Sequence, residues 1–147
     1  MGIAALVTWL LTAVGGFYLL ATWIAKGGTR QPHTSHFPPT LIFGHFALAV
    51  IGLIVWIVYL VTDKDGIAWI AFVLLVPVAL LGFAMLVRWI PTYRAHAALG
   101  AGTDRPTPAE QEPAEKHFPV AAVAGHGLFA VVTVLLVLLT ALGVGGS

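Results

Sequence analysis

Apolar residues along this chain fall into four long runs, at 3–25, 40–61, 67–90 and 119–142, and the polar residues collect between them. Each run is about 22–24 residues. At about 1.5 Å per helical residue that length crosses a hydrocarbon core of about 30 Å. The pattern predicts an all-α integral membrane protein, a single membrane domain over 1–147 with four transmembrane helices. The simplest arrangement is an up-down bundle, ordered 1-2-3-4 around a square, with helices 2 and 4 on one diagonal. A tight polar turn at 62–66 joins helices 2 and 3. A Gly/Thr/Pro/His-rich connection joins helices 1 and 2. The longest connection, 91–117, is low in apolar residues and rich in Pro, Ala and Glu, so a flexible loop is expected there.

The runs repeat. HFPPTLIFGH occupies 36–45 and HFPVAAVAGH occupies 117–126. Upstream, GFYLLATWI at 16–24 matches GFAMLVRWI at 82–90 in the pattern G-F-x-x-L-x-x-W-I. The chain therefore reads as a tandem two-helix repeat, a first hairpin over 3–61 and a second over 67–142. Both copies cross the membrane twice, so they share one orientation and are related by an axis along the membrane normal. Between 36–60 and 117–141 seven of 25 positions are identical, and five of these lie in the first ten. That clustering marks the start of helices 2 and 4 as the constrained end.

Composition sharpens the class. Hydrophobic residues make up 59% of the chain and charged residues 9%, too few to cover a water-soluble surface. The first run has no Lys or Arg ahead of it and is too long for a signal-peptide core. Lys26, Arg30, Arg88, Arg94, Arg105 and Lys116 lie on one side and Lys64 alone on the other. By the positive-inside rule, loops 1 and 3 are expected to be cytoplasmic and both termini outside, in the cytoplasmic membrane. The chain has no cysteine, which excludes disulfides, thiolate zinc sites, iron–sulfur clusters and covalent c-type haem. The near-neutral charge gives no reason to expect a nucleic-acid partner. The lipid bilayer is the expected partner, with a larger membrane complex or a homo-oligomer as further possibilities.

Within the repeated motif, Pro38 and Pro119 suit a first helical turn, where no intrahelical donor is lost. Phe37 and Phe118 then sit near the membrane interface. His45 and His126 each lie seven residues beyond their proline, roughly 10 Å deep. Lipid offers an imidazole no partner at that depth. One reading is structural: each histidine bonds a neighbouring helix, and Gly44 and Gly125 allow close approach. The other is a shared ligand. Helices 2 and 4 are diagonal, and the positions one turn below each histidine, Ala49 and Ala130, are small. A flat ligand on the repeat axis could take one imidazole from each side, and a haem b meets these demands. Arg88 and Arg94, with Arg30 and Lys116, are the candidate partners for its propionates.

Four spans with His45 and His126 facing each other resemble the four-helix, b-type cytochrome membrane anchors. That resemblance implies bis-His ligation and membrane electron transfer, with no catalytic activity of the chain's own. The two-haem pattern of cytochrome b is not met, because each helix carries one deep histidine. The main alternative is a non-enzymatic membrane scaffold, accessory subunit or assembly factor with structural histidines. A third reading is a transition-metal site on the loop face. It would use His36 and His117, which lie about 13 Å from the deep pair, with loop residues His33 and His96 as possible additions.

Other features read as packing. Ala4, Thr8, Thr12 and Gly16 form a small-residue seam on helix 1. Pro77 is expected to kink helix 3. The five tryptophans lie mostly near span ends, as an interfacial belt would require. No Asp or Glu lies inside a span, which disfavours proton-coupled or sodium-coupled transport. There is no nucleotide-binding glycine loop, H-E-x-x-H or G-x-S-x-G.

Overall fold

In the computed structural model the described residues are 1–30, 35–100 and 112–144, with the side chains at 96, 99 and 100 excepted. Four helices carry the fold: α1 (Gly2–Ala25), α2 (Pro39–Thr62), α3 (Asp65–Gly100) and α4 (Val120–Ala141). A short 3-10 turn, Ala114–His117, precedes α4. All four helices are long and apolar enough to cross a membrane, as in a multi-pass membrane protein.

The helix starts follow proline chemistry. Pro38 caps α2 with Pro39 in its first turn, and Pro119 caps α4. A proline there forfeits a donor the helix does not use. The turn between α2 and α3 closes on Asp63, whose φ of 52° is left-handed and whose N–H donates to the Tyr59 carbonyl.

The third helix departs from the sequence expectation. It does not end near Ile90 but continues through Pro91 to Gly100. A proline inside a helix removes one hydrogen bond and normally costs about 3 kcal/mol. Here side chains brace the turn: Trp89 is buried and stacks on Tyr93 with ring centroids 5.1 Å apart. The connection is also ordered at its far end, where Ala114 and Glu115 are buried. The expected flexible centre, 101–111, lies outside the described residues.

The bundle is the expected square. Packing runs around the edges: α1 on α4 and α2 on α3 most extensively, then α3 on α4 and α1 on α2. Among the described residues no backbone contact crosses either diagonal. The closest partners are therefore not the two halves of each hairpin: each repeat packs chiefly on the other.

The interior holds two separate apolar cores. One lies toward the α2–α3 turn and includes Trp9, Trp56, Tyr59, Leu75 and Val137. The other lies at the loop end and includes Trp23, Phe37, Ile42 and Trp89. Four of the five tryptophans are thus buried in the bundle rather than facing the lipid interface, and only Trp69 is exposed. An indole N–H buried away from water needs an acceptor. Trp23 donates to Ser35 Oγ (3.0 Å), Trp89 to the Glu115 carbonyl (3.2 Å) and Trp56 to the Gly2 carbonyl (3.2 Å). The seam on α1 is also shifted. Ala4 is exposed and Ala5 is buried instead, while Thr8 accepts a hydrogen bond from Thr133 at 3.0 Å.

Candidate functional site

His45 and His126 occupy the level between the two cores. Their ring centroids are 6.3 Å apart and the ring planes are inclined at 62°. The depth matching expected from the repeat is realised, across the α2–α4 diagonal.

Each ring is held by the other repeat. His45 Nδ1 donates to the Val78 carbonyl of α3 at 2.9 Å, and His126 Nδ1 to the Thr12 carbonyl of α1 at 2.8 Å. A carbonyl can only accept, so Nδ1 carries the proton in both. Those two carbonyls lie one helical turn before Gly82 and Gly16, the glycines of the repeated G-F pair. A Cβ on Gly82 would stand 3.2 Å from His45 Cε1, and one on Gly16 would stand 3.0 Å from His126 Cε1. Gly15 is similarly tight, 3.3 Å from His126 Cβ. Here lies the reason for the repeated spacing. The glycine on the odd helix leaves room for the imidazole, and the carbonyl one turn earlier fixes its tautomer. Sequence reasoning recorded both glycines as part of the repeat without joining them to the histidines. Their equal placement in both copies was the available signal.

Gly44 and Gly125 do not have the role expected of them. A Cβ on either would meet nothing within 4 Å, so neither permits a close helix approach. The close approaches lie on the facing helices instead, because in each motif the histidine and not its neighbouring glycine points at the adjacent backbone.

The charged candidates separate. Arg88 is exposed, and its Nη1 donates to the His36 carbonyl at 3.1 Å. Its guanidinium keeps further donors. It lies six residues beyond Gly82, about 9 Å along the helix. Arg94 is exposed and about 18 Å along. The structure does not bring it to the histidine level, because α3 continues past the expected stop. Lys116 pairs with Glu112. Arg105 lies outside the described residues.

At the loop end the two H-F-P segments meet. Phe37 and Phe118 have centroids 6.0 Å apart. His36 Nδ1 donates to Glu115 Oε1 at 2.9 Å, with Thr92 Oγ1 3.3 Å from the same nitrogen. His117 is exposed, and its Nδ1 makes a long 3.4 Å contact with the Ala114 carbonyl of its own turn. Among the described residues no group of three or more metal-ligating side chains comes together. Of the proposed additions to a loop-face site, His33 and the side chain of His96 lie outside those residues.

Glu115 is the residue the sequence did not reveal. It is fully buried. Its carboxylate accepts from the His36 N–H, from His36 Nδ1 and, at 2.8 Å, from Ser35 Oγ. It sits in a low-complexity stretch beside Pro113, Ala114 and Lys116, where no pattern marks it as interior. In comparisons with known proteins, no family model, curated protein or solved structure matches the chain.

Proposed function

We propose that this protein holds one haem b between His45 and His126 and takes part in membrane electron transfer. The observation that carries the reading is the paired imidazoles. A metal–imidazole bond is about 2.0–2.1 Å. Two such bonds in line, with the half-widths of two rings, span a little over 6 Å, against the 6.3 Å between the centroids. Both rings hold the proton on Nδ1 and keep Nε2 as the lone pair. A histidine ligand whose other nitrogen donates to a backbone carbonyl is the usual arrangement around a metal. The histidines stand at the level between two apolar cores, with Gly16 and Gly82 making room for the imidazoles themselves. When bound, a haem with two axial histidines supplies one-electron transfer without an open coordination position. The chain's own part is to fix two tautomers, exclude water and offer Arg88 toward the loop end. The basic residues favour an orientation with loops 1 and 3 cytoplasmic.

A second reading has its own observation. The Nδ1 bonds of both histidines link α2 to α3 and α4 to α1, and by themselves they satisfy half of each imidazole's needs. In that reading the histidines staple the bundle, and the protein is a scaffold or accessory subunit of a larger membrane complex. One experiment separates the two. Protein purified from haem-replete cells should be coloured, with a low-spin b-type spectrum in both redox states. His45→Ala or His126→Ala should each lose most of the haem, and His117→Ala should retain it. A colourless wild-type protein, correctly folded, would leave the staple reading standing.

A further inference from the structure

We infer that Glu115 is a positioning residue for the histidine layer: its buried carboxylate fixes the spacing of α2 and α4, and through it the separation of His45 and His126. The inference deepens the haem reading and rests on it for its purpose, although its geometry stands without the haem.

The argument begins from the diagonal. The two histidines come from helices with no backbone contact between them. Most of what sets their separation is indirect, through α1 and α3. Direct links between the α2 and α4 sides run through side chains. The imidazoles themselves face each other at 6.3 Å and the phenylalanines at 6.0 Å, both across side chains alone. A further link, made of hydrogen bonds, is Glu115. It lies two residues ahead of the second H-F-P segment and grips the start of the first one. Oε1 accepts the backbone N–H of His36 at 2.6 Å and its ring Nδ1 at 2.9 Å, while Oε2 accepts Ser35 Oγ at 2.8 Å. One bond thus goes to the main chain three residues before α2 begins. On its own side, the Glu115 carbonyl accepts from Trp89 and its turn leads directly into α4. Trp23 donates to Ser35 from α1, and Arg88 donates to the His36 carbonyl from α3. All four helices therefore meet in one hydrogen-bonded network around Glu115, Ser35 and His36. A fully buried carboxylate is costly unless each oxygen is satisfied. Three donors supply that here, and the same cost makes the geometry unforgiving.

The repeat supplies a control. The residue at the matching place of the first copy is Thr34, outside the described residues. Among the described residues the His117 ring meets its own turn's carbonyl. Among the described residues the cross-link belongs to the second copy and acts on the first.

The chain has no cysteine, so spin labels can be placed without background. Val50 and Val131 are both exposed and occupy matching positions on α2 and α4. Val50→Cys with Val131→Cys reports the diagonal; Val50→Cys with exposed Leu80→Cys reports the α2–α3 edge. Pulsed electron–electron distances would be measured in the full chain, in nanodiscs, with and without Glu115→Ala or Glu115→Gln. The expected result is a broadened or shifted diagonal distribution for Glu115→Ala with an unchanged edge. Glu115→Gln should fall between wild type and Glu115→Ala, because its amide oxygen still accepts from His36, whereas Ser35 Oγ already accepts from Trp23 Nε1 and the Phe37 N–H and has no lone pair for the amide N–H. In haem-loaded protein, Glu115→Ala should raise the high-spin fraction and Glu115→Gln should raise it less. An unchanged diagonal in folded Glu115→Ala, or equal broadening on diagonal and edge, overturns the inference. A colourless wild type with the expected distance changes would sink the haem reading alone.

Discussion

The histidine layer and the loop end are built from the same repeated motif, yet one is symmetric and the other is not. In the layer, corresponding residues do corresponding things. His45 takes the Val78 carbonyl as His126 takes that of Thr12, and Gly82 and Gly16 clear the space. Nine residues earlier the likeness stops. His36 is paired with a buried carboxylate, whereas among the described residues His117 reaches its own turn. The difference teaches where duplicated chains can diverge. A buried imaging of one copy onto the other is forced by shared packing around an axis. A loop of different length in each copy is free to acquire a new contact, and Glu115 came with the longer one.

The comparison breaks most visibly at the glycines. Leu in place of Gly16 or Gly82 would overfill a contact already at 3.0 Å or 3.2 Å and push the imidazole off its carbonyl. Each is expected to cost about 3 kcal/mol, the upper part of the range for overpacking. Thermal unfolding in detergent should show similar losses for the two variants. A large effect for one and none for the other would remove the symmetry of the layer.

The loop end should give the opposite result. His36→Ala takes a side-chain donor from a buried carboxylate, and is expected to cost about 2 kcal/mol, as for hydrogen bonds to charged groups. His117→Ala removes an exposed ring with one long contact and should stay within about 0.5 kcal/mol. Equal losses in the same melting assay would mean that Glu115 contributes nothing to the difference.

The smallest effect sharpens the layer itself. Gly44→Ala and Gly125→Ala add a Cβ that meets nothing within 4 Å. Both are expected to be neutral, or to stabilise slightly by stiffening the helix. A loss above about 1 kcal/mol in either would show that the space beside the histidine is used.

Much of this was legible in the sequence for physical reasons. A bilayer demands long apolar helices, so the four runs give the spans directly. A motif copied at constant spacing places two histidines at one depth, and the square order places them on a diagonal. Three things were hidden. The acceptors for His45 and His126 are main-chain carbonyls, which no residue type announces. The tryptophans near span ends could face lipid or interior equally well by position, and only packing decided. The basic residues on the loop side make Arg94 a candidate by sequence, but α3 runs on through Pro91 and carries it away from the histidine level. Glu115 was hidden for a related reason: its burial depends on donors distant in sequence, at Ser35 and His36.

The crossed holding of the histidines has a consequence for descent. His45 belongs to the first hairpin but bonds the second, and His126 does the reverse. A lone hairpin would carry an imidazole without its carbonyl and a glycine notch without its imidazole. If the chain arose by duplication, its two-helix ancestor was complete only as a twofold homodimer, with one self-complementary surface serving as both donor and acceptor. Fusion then made the partner permanent, and released the two copies to specialise wherever the axis no longer required them to match.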